Sequence, residues 1–391
     1  MASFLDLKVV HFVALLGSLI LSYHVSSILV EGRVDMASML TKQEELSIES
    51  QLSILNKHPI KTMHSSWGDT YDCIEFHKQP TFDHPLLKDH KFEMEEESAD
   101  FVSTGSLKTL MKAAGECPNG TVPIRRTTRE DLIRTKLTSN GLGDEYRAGV
   151  SYDTKQGETI YGASGWINVW NPSVHQDQFS AAEIVLQSGS QDQANIIKSG
   201  WMHCLYGSPQ LYGDYVTRGF TYSEGYDGLQ KTGCYNTLCH GFIQTHSTIT
   251  PDMPFTEISK IGGDQIYVTS QIILDKPEGK WWLTLQDIRI GYWPKELFPA
   301  FSPGVASVFW GGRVKSGQDG SSPPMCSGQP INEHFADAGF INLLQYIDLN
   351  NEPRKPENIK SIIECSKHYN AEYYPKHNIL HFGGSGGTEC N

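Results

Sequence analysis

The sequence predicts a mainly β protein, in which a C-terminal sandwich or barrel follows a smaller, mixed N-terminal domain. Three observations predict it. From residue 146 onward short alternating segments recur: Gly165–Val169, Glu183–Leu186, Asn195–Met202, Phe220–Tyr222, Gln265–Leu274, Trp281–Leu285 and Val305–Trp310. Turn residues separate them, at Asn171-Pro172, Gly189-Ser190, Gly262-Gly263 and Pro277-Glu278-Gly279. Strongly periodic helices are missing from this stretch, so its sheets must stack or close on themselves to bury their apolar faces.

The N-terminal elements divide at two points. Residues 1–27 read as an export signal, with Lys8 before an apolar run from Val9 to Leu21 and small residues at Ser26 and Ser27. That run is too short and mixed for a spanning helix, so membrane contact is expected only through this segment. Residues 28–145 are charged and irregular, with a helical pattern over Met39–Leu55 carried by Leu40, Leu46, Ile48, Leu52 and Leu55. Glu93, Glu95, Glu96, Glu97 and Asp100 form an acidic run that reads as a solvated loop. The basic run Arg125–Lys136 reads either as an exposed linker and processing site or as a solvated helix. Residues 146–391 then form the β domain.

A formal charge of −13 argues against nucleic acid or an acidic membrane surface as the main partner. Eight cysteines in an exported chain point to disulfides. Cys73 with Cys117 and Cys365 with Cys390 are natural pairs, and Cys234 with Cys239 closes a small loop. Cys204 and Cys326 remain. Asn119-Gly120-Thr121 is a glycosylation sequon expected on a surface loop. No metal or cofactor is expected. Cys234–Cys239 followed by His240 lacks the second half of a zinc site, no His-Glu-x-x-His occurs, and no helix follows the glycines at 383–387. The Gly-x-Ser-x-Gly spacing at Gly383–Gly387 lies in a glycine-rich tail that no helix follows, so it is not an elbow and leaves a serine hydrolase without support. Trp201, Trp281, Trp282, Trp293 and Trp310 are many large aromatics for one β domain; they either pack its core or line a groove.

Several strings together resemble one family. These include Gln79-Pro80-Thr81-Phe82-Asp83-His84-Pro85, Cys117-Pro118, Trp166-Ile167-Asn168-Val169-Trp170, Tyr212-Gly213-Asp214, Thr232-Gly233-Cys234-Tyr235, Cys239-His240-Gly241-Phe242-Ile243-Gln244, Gly291-Tyr292-Trp293-Pro294 and Trp310-Gly311-Gly312. They run in order from about residue 50 to the end, and the chain is identified by them as similar to the neprosin family of secreted plant glutamic peptidases. The resemblance implies a catalytic domain of two stacked antiparallel sheets, and an activation domain that covers the cleft until it is removed. It also implies an extracellular (apoplastic) or vacuolar location.

The departures from the family are local. Where it carries two catalytic glutamates, in an I-E-A-G-W and a W-G-G-E string, this chain carries Lys198 and Arg313. The family's M-G-S-G becomes Met325-Cys326-Ser327-Gly328, and Cys204 falls where the family has no cysteine. Both unusual cysteines flank groove strings, so they are expected to bond to each other.

Carboxylate peptidolysis needs one acid protonated and one ionised, and two cations cannot supply that. The expected function is therefore non-catalytic binding of an extracellular peptide, protein or wall polysaccharide, with acidic character. The alternative is an active endopeptidase that uses substitute residues such as Glu183. A hairpin centred on residues 189–191 would bring Glu183 beside Lys198. The groove residues expected on this reading are Glu183, Lys198, Trp201, Gln244, Trp293, Trp310 and Arg313. Arg313 has no acidic neighbour in sequence and is expected to grip an anionic ligand.

Overall fold

The computed structural model describes residues 42–87, 90, 110–133, 144–175, 177–190, 193–204, 216–226, 231–238, 240–331 and 336–390. The signal segment, the acidic run at 93–100, the string Tyr212–Asp214 and Cys239 lie outside them. The chain divides into two compact units, Met1–Gln51 and Leu52–Asn391. Helix α1 (Lys42–Leu55) carries Glu44 and Glu45 in its first turn, where carboxylates favour a helix N-terminus. Among the described residues no helix is long and apolar enough to cross a membrane.

The second unit begins with a three-stranded antiparallel sheet of β1 (Lys61–His64), β2 (Thr70–Glu75) and β3 (Thr121–Arg125). A disulfide joins Cys73 to Cys117. Asn119 is exposed in the turn before β3. Three short 3-10 turns between Phe76 and Leu87 follow β2, two of them opened by Pro80 and Pro85. The run Arg125–Lys136, open on sequence between exposed linker and solvated helix, starts inside the fold, although Arg126 itself is exposed. Arg125 is a buried residue of β3, and Arg126 forms an ion pair with Asp72 at 2.6 Å.

The rest is two stacked antiparallel sheets, which settles sandwich against barrel. One contains seven strands in the order β17-β4-β14-β6-β7-β8-β9. These are β4 (Glu145–Asp153), β6 (Phe179–Ser188), β7 (Asn195–Cys204), β8 (Arg218–Tyr226), β9 (Lys231–Tyr235), β14 (Ser307–Lys315) and β17 (Lys360–Ile363). The other is ordered β10-β13-β12-β11-β5-β15-β19-β18 with β16 paired to β15. It comprises β5 (Gly162–Asn168), β10 (Ile243–Gln244), β11 (Tyr267–Asp275), β12 (Lys280–Leu285), β13 (Ile288–Pro294), β15 (Gly339–Ile347), β16 (Pro353–Arg354), β18 (Asn370–Tyr374) and β19 (Ile379–Gly383).

Two-residue alternation decides which side chains enter the core. Ala182, Ile184 and Leu186 of β6, Ile197 and Trp201 of β7, and Val308, Trp310 and Val314 of β14 point inward. They pack with Ala163, Ile167, Val268, Ile272, Leu283, Trp293 and Ile341 of the facing sheet. Each buried indole N–H of the seven-stranded sheet is satisfied across the interface: Trp201 Nε1 donates to Asn168 O at 2.7 Å, and Trp310 Nε1 to Ser164 O at 3.0 Å. Trp201, Trp293 and Trp310 are thus core residues, not the groove residues expected from the sequence. Gln244 is also buried. Its backbone N–H donates to Gln79 Oε1 at 2.9 Å, and Gln79 Nε2 returns a bond to Gln244 O at 2.9 Å. Gln79 thereby caps the edge strand β10.

The alternate residues of the seven-stranded sheet form its outer face. There β14 and β4 approach closely at Gly311 and Gly149, which are opposite each other in the ladder. A Cβ at Gly311 would lie 2.5 Å from Ala148 O and 2.7 Å from Gly149 Cα. Replacing Gly311 by alanine is expected to destabilise the fold by about 1–3 kcal/mol through this clash. Urea unfolding of Gly311→Ala beside the parent measures it; an unchanged midpoint would reject the close approach.

Candidate functional site

The outer face of the seven-stranded sheet carries a row of charges across four adjacent strands. Register places Arg147 of β4 opposite Arg313 of β14, Gly311 opposite Glu183 of β6, and Val185 opposite Lys198 of β7. Glu183 and Lys198 are therefore diagonal neighbours across a hairpin, as the sequence predicts. Their ion pair spans 3.6 Å.

Glu183 is the hub. Arg313 Nε donates to both its oxygens, at 3.0 and 3.1 Å, and Nη2 donates to Oε2 at 3.1 Å. The third nitrogen, Arg313 Nη1, donates to Glu145 Oε2 at 3.0 Å. Every guanidinium nitrogen of Arg313 thus has a carboxylate partner, and its plane lies 4.6 Å from the centre of the Phe179 ring. This corrects the expectation that Arg313 lacks an acid and is open to a ligand. Its partners come from strands on either side, which its own sequence neighbourhood cannot reveal.

Lys198 is held differently. Its side chain is 17% exposed, with Nζ 5.4 Å above the Tyr222 ring, and its contact to Glu183 is longer than a hydrogen bond. Tyr222 in turn donates to Glu224 Oε2 at 2.7 Å. At the other end of the row Arg147 pairs with Glu364 at 2.8 Å and lies 5.8 Å from the Phe309 ring.

Protonation follows from this geometry. Burial pushes the Glu183 carboxyl up, but the charges of Arg313 and Lys198 outweigh it and hold the group below its ordinary range. Burial works against the Arg313 charge as well, yet Glu183 and Glu145 keep it firmly protonated. The Lys198 ammonium is pushed down, first by burial and then by Arg313, with Glu183 opposing. The cluster therefore offers one ionised, doubly paired carboxylate. No proton is shared between two acids.

Of the sequence-derived site residues, the structure brings together Glu183, Lys198 and Arg313; it places Trp201, Trp293, Trp310 and Gln244 elsewhere. Glu145, Arg147, Tyr222 and Glu364 join the row without having been singled out. Only strand order could have found them, because they come from β4, β8 and the position after β17, far apart in sequence.

Cys204 and Cys326 are not bonded to each other. Cys204 packs with Phe179, Ala181, Met202 and Phe220 on the outer face. Cys326 belongs to the inner core, where its backbone N–H donates to Ser180 Oγ at 3.2 Å. The sheet itself separates them. Cys365 is bonded to Cys390, and Cys234 is in a disulfide whose expected partner, Cys239, is outside the described residues. Among the described residues, the group Cys365, His368 and Cys390 has metal-ligand spacing, but its two sulfurs are consumed by that disulfide.

A family model described as Neprosin matches residues 176–385, and one described as Neprosin activation peptide matches residues 62–162. Among solved structures, a scytalido-glutamic peptidase with a transition-state analogue inhibitor is 12% identical; the match covers 61% of this chain and 98% of that one, with a TM-score of 0.36. SCP-B, a member of the eqolisin peptidases in complex with the tripeptide Ala-Ile-His, is 11% identical over 61% of this chain and 98% of that one, with a TM-score of 0.33.

Glu183→Gln tests the hub. Removing one member of a buried ion pair is expected to cost about 3–5 kcal/mol, since two cations lose their common partner. Because the folded state lowers the Glu183 pKa, its contribution is complete above the ordinary value of 4.5 and fades as pH falls through the depressed one. The stability gap between parent and Glu183→Gln should therefore narrow in acid. A gap independent of pH, measured by thermal unfolding, would show that Glu183 is not held ionised.

Proposed function

The chain belongs to the Neprosin family, and we propose that it is a secreted member that binds an extended acidic peptide on the outer face of the seven-stranded sheet without cleaving it. One observation carries this reading. Arg313 stands between the two nearest carboxylates, Glu183 and Glu145, and hydrogen-bonds both. A general acid must part with a proton, and this guanidinium holds Glu183 ionised while keeping its own protons at any working pH. The endopeptidase alternative through Glu183 has the same obstacle: both oxygens of that group are already taken by Arg313.

Binding needs less. Lys198 keeps donor capacity, its Nζ–Glu183 contact being 3.6 Å, and it sits partly open beside Tyr222. A carboxylate side chain of a bound peptide would complete its coordination, and the aromatic faces of Tyr222 and Phe309 suit the flanking apolar groups. This moves the anion contact of the groove from Arg313 to Lys198.

Two measurements test the proposal. The purified protein is expected to leave proline-containing peptides intact between pH 3 and pH 7; turnover abolished by Glu183→Gln would establish the endopeptidase reading instead. By calorimetry in low salt, peptides rich in Asp or Glu should bind at least about tenfold more tightly than their Asn or Gln counterparts, a difference of about 1.4 kcal/mol. Lys198→Met should erase that preference. Equal affinity for acidic and neutral peptides in the parent would dispose of the proposal.

A further inference from the structure

The outer face of the nine-stranded sheet differs in chemistry from the charged row on the other sheet. Alternation sends Ala163, Ile167, Val268, Ile272 and Ile341 into the core. It therefore turns Trp166 of β5, Tyr267, Thr269 and Gln271 of β11, and Phe340 and Asn342 of β15 outward. The rings of Trp166 and Tyr267 stack, with centroids 4.9 Å apart and planes within 5° of parallel. Tyr267 is 37% exposed and Trp166 is half-buried. Such a pair covers one face of each ring and leaves the other free for a ligand.

Amides complete the patch. Asn342 is opposite Trp166 and Gln345 opposite Ser164, with a β-bulge between them. Residues three apart in a regular strand face opposite ways. The bulge, with Leu343 at φ 52°, brings both amides to the outer side. Their oxygens are occupied: Ser164 Oγ donates to Gln345 Oε1 at 3.2 Å, and Leu343 N to Asn342 Oδ1 at 2.8 Å. Asn342 Nδ2, Gln345 Nε2, Trp166 Nε1 and the Tyr267 hydroxyl have no partner among the described residues. Charge stays at the margins. Gln271 Nε2 donates to Asp287 Oδ1 at 3.5 Å, and Glu372 of β18 is opposite His381. His381, 6.1 Å from the Phe340 ring, is pushed down to about 4 by burial and is uncharged near neutral pH.

This chemistry selects its occupant. A charged peptide or a polyanion would meet no counter-charge among these side chains, in a chain whose formal charge is already −13. A peptide strand would find no backbone to pair with, because β11, β5 and β15 are each bonded on both sides. A chain of pyranose rings offers what the patch can use. Its C–H faces are apolar and settle on aromatic rings, and its hydroxyls accept from amide and indole N–H groups. We propose that the outer face of β11, β5 and β15 binds an uncharged, β-linked polysaccharide, with Trp166 and Tyr267 as the stacking platform and Asn342 and Gln345 as hydroxyl partners. The inference does not rest on the peptide-binding reading, which uses the other sheet.

Affinity electrophoresis of the full chain tests this, with hydroxyethyl cellulose in one gel and polygalacturonate in another, and calorimetry with cellohexaose gives the affinity. The neutral glucan should retard the protein and the polyanion should not. No retardation by the glucan and no heat with cellohexaose, or equal retardation by both polymers, would overturn the proposal. Trp166→Ala should weaken cellohexaose binding at least about tenfold, the loss of one aromatic platform. Asn342→Ala, which removes only a half-buried amide, should weaken it as well; if Trp166→Ala does not fold by circular dichroism, parental affinity in Asn342→Ala overturns the proposal. Lys198→Met should bind the glucan like the parent, and a loss there would place the glucan on the charged row instead. A dimer in ultracentrifugation that Tyr267→Ala abolishes would mean that a second copy of the chain covers this face, and would equally overturn it.

Discussion

The site depends on one buried carboxylate serving two cations. Glu183 lies in the middle strand of a row that runs from Arg147 through Arg313 to Lys198, and every other charge there is placed by what it does to that group. Desolvation would expel a lone glutamate or a lone arginine from this position. Together, with three guanidinium–carboxylate bonds between them, they tolerate burial. The proposal of binding without cleavage rests on this pairing: a carboxylate held ionised by two cations is a poor carrier of protons.

Much of the architecture was legible in the sequence. Alternation at Glu183–Leu186 and Asn195–Met202 located β6 and β7, and the glycine between them located the hairpin that joins Glu183 to Lys198. What composition could not supply was facing. Trp201 and Trp310 carry the same residue type as a groove aromatic would, but they sit one position out of phase with Lys198 and Arg313 and therefore point into the core. The error over Cys204 and Cys326 has the same origin. Two cysteines near the same groove strings are on opposite faces of one sheet, and no spacing along the chain distinguishes that from adjacency.

Strand order was the second missing quantity. The partners of Arg313 are 130 and 168 residues away in sequence. They become neighbours only because β14 is inserted between β4 and β6, an order that local patterns do not encode. The strand that carries Arg313 cannot reveal its acids, since adjacent residues of a strand face opposite ways and the relevant neighbours are lateral.

The two buried charge systems in this protein divide the work of position between them. The cluster around Glu183 ties β4, β14, β6 and β7 together on the outer face, and Arg218 with Asp69 ties β8 to the N-terminal lobe. Tyr222 lies between them, on β8 and against Lys198, so the loosely held ammonium is bordered by a strand that Arg218 ties to Asp69. Substituting glutamate for Lys198 alone would set a second acid beside Glu183 while Arg313 continued to neutralise the first. A proton-sharing pair here requires removing the guanidinium as well, so the proposal of binding without cleavage turns on the Arg313–Glu183 pair more than on Lys198 or Arg313 taken singly.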